Sequence, residues 1–455
     1  MNKFIETLKN IWKIKELRER ILFTLLLLAV YRVGSFIVLP GVNSEALSDA
    51  VSNRGTNDIL GLINTFTGGA FNQAAIFALG IMPYITASII IQLLGFAVPY
   101  FQKLQQKEGE SGRKKITQIT RILTVFITLV QGGGYLKYIQ SMPNAIHDSL
   151  SMGVFFFSNI LILSTGTIFA MWLGEKITDR GIGNGVSLLI TVGIIATLPR
   201  SFAAEVVSQF TSGGVFLLII ELAAFFFIVM GVVLVVQGVR RIPIQFAKRM
   251  VGRGGQNMPV SGARDYIPLK VNASGVMPII FAQAIMFLPV SVAQWLSADG
   301  SSPGNFLISL SDWKSIPYNV IFFLLVVIFT YVYTALLVNP QQYAEYLKRQ
   351  NAFIPGIKPG KMTQDFIDTL TTRVTLPGSI FLGLISILPA IVAVFGVNDG
   401  FALFFGGTSL LILVAVVLDT LQQVESYLLM RKYDGLVKSG KIKGRSGMQT
   451  IGAGM

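Results

Sequence analysis

The sequence predicts an all-α membrane protein with ten transmembrane helices in two inverted five-helix halves. Three observations support this fold class: the composition, the spacing of the apolar segments and one polar segment interrupted by glycines. Of the 455 residues, 52% are hydrophobic and only 13% are charged, whereas a soluble domain has about 25% charged residues. Apolar stretches of roughly 20 residues, the length that a helix needs to cross a bilayer, recur along the chain.

Ten such stretches follow residues 1–20, where apolar side chains recur at helical spacing between lysines. This first segment lacks the short apolar core and the cleavage site of a removable signal. We interpret it as an amphipathic helix on the membrane surface. The predicted spans, of which 183–199 is the shortest, are residues 21–39, 75–97, 118–140, 153–174, 183–199, 214–239, 272–295, 318–338, 376–397 and 402–429.

The spans divide into an N-terminal half, residues 21–199, and a C-terminal half, residues 214–430, joined by a predicted outer hinge link at 200–213. Because each half has five spans, the second half enters the membrane from the opposite side. Inverted halves of this kind hold a functional site between them. Residues 431–455 form a predicted cytoplasmic tail.

The positive charges predict the orientation, because the cytoplasmic loops of membrane proteins are enriched in Lys and Arg. With the N terminus inside, 32 of the 37 Lys and Arg residues fall in inner segments. Both termini are therefore expected in the cytoplasm. The net charge of +14 follows largely from this topology and does not require a nucleic-acid partner.

The stretch Gly61–Leu94 predicts a broken helix at membrane depth. Its second half is apolar, whereas residues 61–73 contain several polar side chains and the Gly68-Gly69 pair. Non-helical backbone survives at this depth only where protein or a water-filled cavity covers it. Discontinuous helices are also common where membrane proteins handle their cargo. The stretch therefore predicts a cavity within the membrane.

Two inner loops, residues 240–270 and 340–375, are too long and too basic to be simple connections. In the second loop, the Pro and Gly residues of FIPGIKPGK predict a rigid turn that presents Lys358 and Lys361. Attraction to anionic lipid headgroups is one interpretation of these charges. We favour a docking surface for a cytosolic partner, because connections between membrane spans are free to be short.

Residue types that carry covalent or metal chemistry are sparse. The chain contains no cysteine, which excludes disulfides, thiolate metal sites and thiol nucleophiles. The glycine-rich turn at 180–185 follows no predicted strand, so a nucleotide-binding loop is rejected. Only Glu221 offers a carboxylate at mid-depth with ease. We expect no catalytic residue, metal or cofactor, and a secondary transporter of a small solute is the alternative function.

Ile81 and Ile85 follow the broken helix at i, i+4 spacing and therefore share one helix face. A constriction of aliphatic side chains binds neither ions nor sugars, but it seals against water and ions by dewetting. Such side chains also yield around a bulky, chemically varied cargo. Packing against lipid or against other helices is the alternative explanation for these residues.

Five motifs, in this order and spacing, resemble the SecY family of bacterial protein-conducting channels. The resemblance implies two halves that open like a clamshell around a central pore, with a pore ring, a plug and a lateral gate. It also implies passage of unfolded secretory polypeptides across the plasma (inner) membrane and release of apolar segments into lipid. The motifs are TFTGGAFNQAAIFALGIMPYITASIIIQLL, GEKITDRGIGNG, KVNASGVMPIIFA, FIPGIKPG and FFGGTSLLI.

The resemblance assigns roles to residues of three regions. The pore ring consists of Ile81, Ile85, Val186, Ile190, Ile280 and Ile412. The plug spans residues 58–70 and includes Asn64, Phe66, Gly68 and Gly69, with Phe66 packed beneath the ring. The lateral gate lies between the spans 75–97 and 118–140 and the spans 272–295 and 318–338, and its polar contacts are Gln92, Thr120 and Asn272.

The implied partners are the small membrane subunits SecE and SecG, the motor ATPase SecA, the ribosome, signal sequences and nascent polypeptides, and anionic lipids. Partner contacts are expected in the two basic loops. Lys358 stands where the family usually has arginine, so the charge is kept but the planar fork of donors is lost. The expected contact residues are Arg240, Arg241, Lys248, Arg249, Arg253, Lys348, Lys358, Lys361 and Arg373.

Overall fold

The computed structural model shows a helical protein whose long helices coincide with the predicted spans. Among its described residues, seven helices are long and apolar enough to cross a membrane, and two shorter apolar helices accompany them. A further helix, Lys15–Gly34, occupies the first predicted span. The structure describes residues 12, 14–44, 46–47, 59–106, 109–147, 151–212, 214–246, 250–251, 258–259, 264–286, 306, 309–310 and 312–438.

The N-terminal half contains three of these seven helices, together with Lys15–Gly34, one of the shorter apolar helices and two further short helices. The three long helices exceed the roughly 20 residues that a bilayer requires, so they extend beyond the apolar stretches seen in the sequence. The helices are α1 (Lys15–Gly34), α2 (Ile59–Phe66), α3 (Met82–Ala97), α4 (Pro99–Gln106), α5 (Gly109–Gln140), α6 (Met152–Arg180) and α7 (Gly185–Ser212).

The C-terminal half contains the other four of these seven helices, together with the second shorter apolar helix and two further short helices. Its longest helix has 34 residues, which at about 1.5 Å per residue exceeds the thickness of the hydrocarbon core. The helices are α8 (Val215–Gln237), α9 (Met277–Met286), α10 (Ile316–Leu337), α11 (Pro340–Arg349), α12 (Lys361–Val394), α13 (Asp399–Ala402) and α14 (Gly407–Lys438).

The break before α3 is longer than predicted. Residues 67–81 form turns, so the predicted span 75–97 is helical only from Met82. Gly68, Gly69 and Gly80 have positive φ angles of 66°, 93° and 53°, a conformation that glycine adopts without steric penalty. Pro83 then occupies the first turn of α3, where its missing N–H costs no helical hydrogen bond.

Helix α7 continues through Pro199 to Ser212, so residues 200–212 of the predicted hinge link are helical. An internal proline usually ends or kinks a helix. Here the helix continues because Glu205 and Gln209, at i, i+4 spacing, both pack inward on its far side, with 0% and 6% exposure.

The all-α prediction omitted a small sheet outside the crossing helices. Strand β1 (Val239–Phe246) pairs antiparallel with β4 (Arg264–Lys270), and β5 (Ala352–Phe353) adds to its other edge. Ile242 and Ile244 alternate with exposed residues on β1, as expected of a strand with one covered face. A separate pair joins β2 (Met250–Val251) and β3 (Met258–Pro259).

The sheet and helices α11 and α12 form one body, which we call the hairpin unit: residues 239–246, 264–270 and 340–373. Its apolar core joins the two predicted loops. A second apolar core lies where the two halves of the protein meet, and each half has a core of its own. The hairpin unit core contains Ile242, Ile244, Leu269, Leu347, Ala352, Ile354 and Ile367.

Candidate functional site

Seven apolar side chains from both halves meet in one cluster, which we call the pore cluster. Ile81 precedes α3 and Ile85 follows one turn later, with 3% and 6% exposure. Phe66 and four of the isoleucines are more than nine-tenths buried, whereas Val186 and Ile280 are partly buried. The structure thus brings together all six predicted ring residues. The members are Phe66, Ile81, Ile85, Val186, Ile190, Ile280 and Ile412.

Five helices and one turn position these side chains. The turn before α3 and α3 itself supply Ile81 and Ile85, and α7 supplies Val186 and Ile190, again one turn apart. The C-terminal half adds one isoleucine from α9 and one from α14, and Phe66 ends α2. Because all seven side chains are hydrocarbons, they offer water and ions no hydrogen bond.

The predicted plug residues form a compact turn that includes Phe66, a member of this cluster. The Asn64 carbonyl oxygen accepts a hydrogen bond from the Gly69 N–H at 2.9 Å, and Asn64 Oδ1 accepts one from the Asn72 N–H at 3.0 Å. Gly68 and Gly69 take the left-handed backbone that the turn requires. The polar side chains that mark this stretch in the sequence therefore satisfy its own backbone.

Two residues that seat the plug were missed by the sequence analysis. Arg32 Nη1 donates a hydrogen bond of 2.7 Å to the Gly68 carbonyl oxygen. Gly193 of α7 lies so close that a Cβ there would overlap the Phe66 carbonyl oxygen. The cost of a cation inside a span singles out Arg32 in the sequence, but nothing there marks Gly193.

The predicted gate residues lie on both halves. Gln92 of α3 donates to Ser88 Oγ at 3.1 Å, and Thr120 of α5 donates to the Ile116 carbonyl oxygen at 2.9 Å. Asn272 precedes α9, and its Oδ1 accepts from Ser274 Oγ at 3.3 Å. Its buried Nδ2 has no hydrogen-bond partner among the described residues.

Apolar and aromatic side chains line this predicted gate. Ile89 of α3 belongs to the same apolar core as Phe281 of α9. On the C-terminal side of the gate, Phe281 meets Phe329 and Tyr333 of α10 edge to face, with ring centroids 6.0 and 5.5 Å apart. The structure therefore places α3 and α9 in one apolar core, while the hydrogen bonds described for the three polar gate residues stay within their own segments.

The hairpin unit displays the predicted partner-binding residues. Arg241 lies 4.8 Å from the centre of the Tyr266 ring across the β1–β4 pair. The FIPGIKPG turn is anchored by buried Ile354 and by a 2.9 Å hydrogen bond from Thr363 Oγ1 to the Lys358 carbonyl oxygen. The exposed predicted residues are Arg240, Arg241, Lys348, Lys358, Lys361 and Arg373. Lys248, Arg249 and Arg253 lie outside the described residues.

A family model for SecY matches residues 75–421, which is most of the chain. The chain belongs to the SecY family. The protein translocase subunit SecY of Chlamydia muridarum is 38% identical over 96% of this chain and 99% of its own length. The SecY subunit of Halalkalibacterium halodurans is 41% identical over 95% of this chain and 99% of its own length. The predicted resemblance to SecY is therefore confirmed.

Solved structures confirm the fold. A protein-conducting channel superposes with a TM-score of 0.64 at 18% identity, covering 92% of this chain and 94% of its own. Sec61 in the canine ribosome–channel complex superposes with a TM-score of 0.60 at 17% identity, covering 92% and 94%. The predicted ten-helix membrane fold is thus confirmed as that of a SecY-type channel. The names of these relatives describe a translocase subunit and channels, in agreement with the prediction that the chain is not an enzyme.

Proposed function

We propose that this SecY-family chain is the protein-conducting channel of a bacterial translocase. It passes unfolded secretory polypeptides across the plasma (inner) membrane, with both of its own termini in the cytoplasm. The distribution of Lys and Arg supports this orientation, because the hairpin unit and most of the positive charge then lie on the cytoplasmic side. The channel performs no covalent chemistry, and a partner supplies the energy.

The observation that carries the proposal is the pore cluster. Aliphatic residues of both halves converge on one point and bury Ile81, Ile85, Ile190 and Ile412 to 6% exposure or less. A transporter for a small polar solute would present hydrogen-bonding groups at such a point. An aliphatic ring instead seals the resting pore by dewetting and yields when a chain enters, since methyl groups make no directional bonds.

The plug and the gate follow from the same geometry. Phe66 belongs to the pore cluster, and Arg32 holds the plug turn against the rest of the N-terminal half. Because hydrogen bonds within the turn keep it compact, a passing chain displaces the whole turn as one piece. The boundary between α3 and α9, whose apolar residues share one core, serves as the lateral gate. A segment of about 20 apolar residues leaves through it, because burial in lipid is favoured over a wet pore.

The hairpin unit is the proposed docking surface for the ribosome and for SecA. Its exposed arginines and lysines are fixed on a sheet and a turn that share one apolar core, so the spacing of the charges is defined. Ribosomal RNA offers phosphates to Arg240 and Arg241, and Lys358 is the proposed SecA contact. SecE and SecG complete the assembly, signal sequences and nascent polypeptides enter it, and anionic lipids contact its basic rim.

Crosslinking of a stalled secretory chain tests the channel. The cysteine-free sequence allows a single photoreactive residue or cysteine at position 81 or 280 without background. Both positions should crosslink to the stalled chain, whereas position 385, equally buried in the core of the C-terminal half, should not. Saturable uptake of a small solute by the purified protein, with no crosslink at 81 or 280, would instead establish a transporter.

A further inference from the structure

Two acids and an amide, all buried, join the two halves at the end of the helices far from the hairpin unit, where the backbone of the exposed residue Asn398 meets them. We call this group the distal junction: Glu205, Gln209, Glu221 and Asn398. Glu205 and Gln209 lie on α7, the last helix of the N-terminal half, and Glu221 lies on α8, the first helix of the C-terminal half. Glu205 is 0% exposed, and Gln209 and Glu221 are each 6% exposed.

Each hydrogen bond of this junction has a definite direction. Gln209 Nε2 donates to Glu205 Oε1 at 2.7 Å and to Glu221 Oε1 at 3.2 Å. The Asn398 backbone N–H, which precedes α13, donates to Glu205 Oε2 at 2.8 Å. Both oxygens of Glu205 thus accept short hydrogen bonds, as a carboxylate requires, while Glu221 receives only the long one.

The second carboxyl group lacks the partners of an ion. Glu221 Oε2 is buried and has no hydrogen-bond partner among the described residues, and the Gln209 amide that donates to Glu221 also donates to Glu205. The salt bridges described in this structure involve neither acid. Two neighbouring buried carboxylates with no cation cannot both stay ionised.

We propose that Glu221 and Glu205 share one proton, and that this proton fastens the two halves at the distal end of α7. Glu221 carries the proton and donates it to the Glu205 carboxylate, which Gln209 and Asn398 hold in place. Removal of the proton leaves two buried negative charges on adjoining helices of opposite halves, and their repulsion separates α7 from α8. The proposal rests on the proposed channel function, since its effect is on the closure of the channel.

The surroundings leave this pair as the titratable group of the junction. Within the described residues, α7 adds Arg200, which is exposed, and Asp399 beside Asn398 forms an ion pair of 2.6 Å with Lys314. The first ionisable residue of α14, Asp419, lies about 18 Å along that helix from its start. One turn away along α7 and α8, Phe202 and Phe225 each pack against Phe401, with ring centroids 5.7 and 6.3 Å apart, so the nearest neighbours on that side are uncharged.

The attachment at the other end of α7 explains how one proton at the distal junction affects closure of the channel. There the Gly183 N–H donates to Gln423 Oε1 of α14 at 2.9 Å, so α7 is fastened to the C-terminal half at both ends. The channel then opens at the proposed lateral gate, on the side away from α7, and α7 acts as the axis of the movement. The distal junction is the end of this axis whose attachment depends on a proton.

Infrared spectroscopy of the reconstituted protein tests the proton directly. A carbonyl band of a protonated carboxyl group should be present at about pH 7, where an ordinary exposed acid is ionised. The band should disappear in Glu221→Gln and persist in the control Glu110→Gln, an exposed acid on α5. If the wild type lacks the band, or if neither Glu221→Gln nor Glu205→Gln alters it, the shared proton does not exist.

Ion leak through resting vesicles tests the fastening. The wild-type leak should rise several-fold as the pH on the distal side increases from about 6 to about 9, and Glu221→Gln, whose amide cannot lose a proton, should leak at one constant low level. If Glu221→Gln fails to fold, Glu205→Gln replaces it. A wild-type leak that ignores pH while the infrared band is present overturns the fastening. A vesicle that never leaks, even when the pore cluster is made polar, contradicts the channel function instead.

Discussion

The pore cluster and the hairpin unit work in opposite ways. The pore cluster collects uncharged side chains from segments as distant in the sequence as Phe66 and Ile412 and buries them. The hairpin unit joins residues 239–246, 264–270 and 340–373 through one apolar core and exposes their charges on a rigid frame. Sealing of the pore therefore depends on where apolar side chains pack together, whereas docking of a partner depends on which charged side chains are exposed.

This difference predicts different sensitivities to substitution. The pore cluster should tolerate changes among aliphatic residues and fail when polarity is introduced, because only water exclusion matters there. The hairpin unit should tolerate changes that keep charge and geometry and fail when charge is reversed. Each substitution below tests one side of the comparison, in order of decreasing expected effect.

The largest effect is expected when the pore cluster is made polar. Replacement of Ile85 and Ile280 together by Asn places one amide from each half at the constriction, so water is held there by hydrogen bonds and dewetting is lost. Ion leak of resting vesicles should rise by roughly an order of magnitude or more, and signal-sequence stringency should relax. The paired control, Ile85→Val with Ile280→Val, should leak like the wild type. If the wild type, the Asn variant and the Val variant leak equally, these residues do not form the pore ring.

A smaller effect is expected at the seat of the plug. Gly193→Ala adds a methyl group that overlaps the Phe66 carbonyl oxygen and approaches Gly68 N to 3.1 Å. Overpacking of this kind costs about 1–3 kcal/mol, which exceeds the ~1 kcal/mol that alanine gains over glycine within a helix. The plug should shift and leak should rise moderately.

The matched control for this substitution is Gly231→Ala on α8, where a Cβ meets nothing within 4 Å. This variant should leak no more than the wild type and unfold at a slightly higher temperature. Should Gly193→Ala behave like Gly231→Ala in both measurements, the plug does not rest on α7.

These regions also differ in how much the sequence revealed. Apolar length predicted the ten spans, and Gly68-Gly69 predicted the break, because both are local properties of the chain. Ile81 and Ile85 have no local signature that separates a pore from a core, so their roles came from the family resemblance. Gly193 was missed because its importance arises from contact with Phe66, more than a hundred residues earlier.

The structure departs from the sequence-based expectations at two places. The predicted span 183–199 ended too early, because burial of Glu205 and Gln209 stabilises the helical turns beyond it. Strand β1 was missed because its alternating pair, Ile242 and Ile244, is short and lies within a strongly basic stretch. Its pairing with β5, about a hundred residues later, is tertiary information that no window of the sequence contains.

The smallest of the three effects is expected on ribosome binding by the hairpin unit. Arg240 and Arg241 are exposed on β1, and replacement of both by Glu should weaken binding without abolishing it, since other basic residues remain. If both contact phosphates, the slope of log K against log salt concentration should fall by about 2. The control pair Arg240→Lys and Arg241→Lys keeps the charge and should keep the slope. If reversal of both charges leaves the affinity and the slope unchanged while binding to anionic vesicles falls, the hairpin unit binds lipid headgroups and is not the ribosome contact.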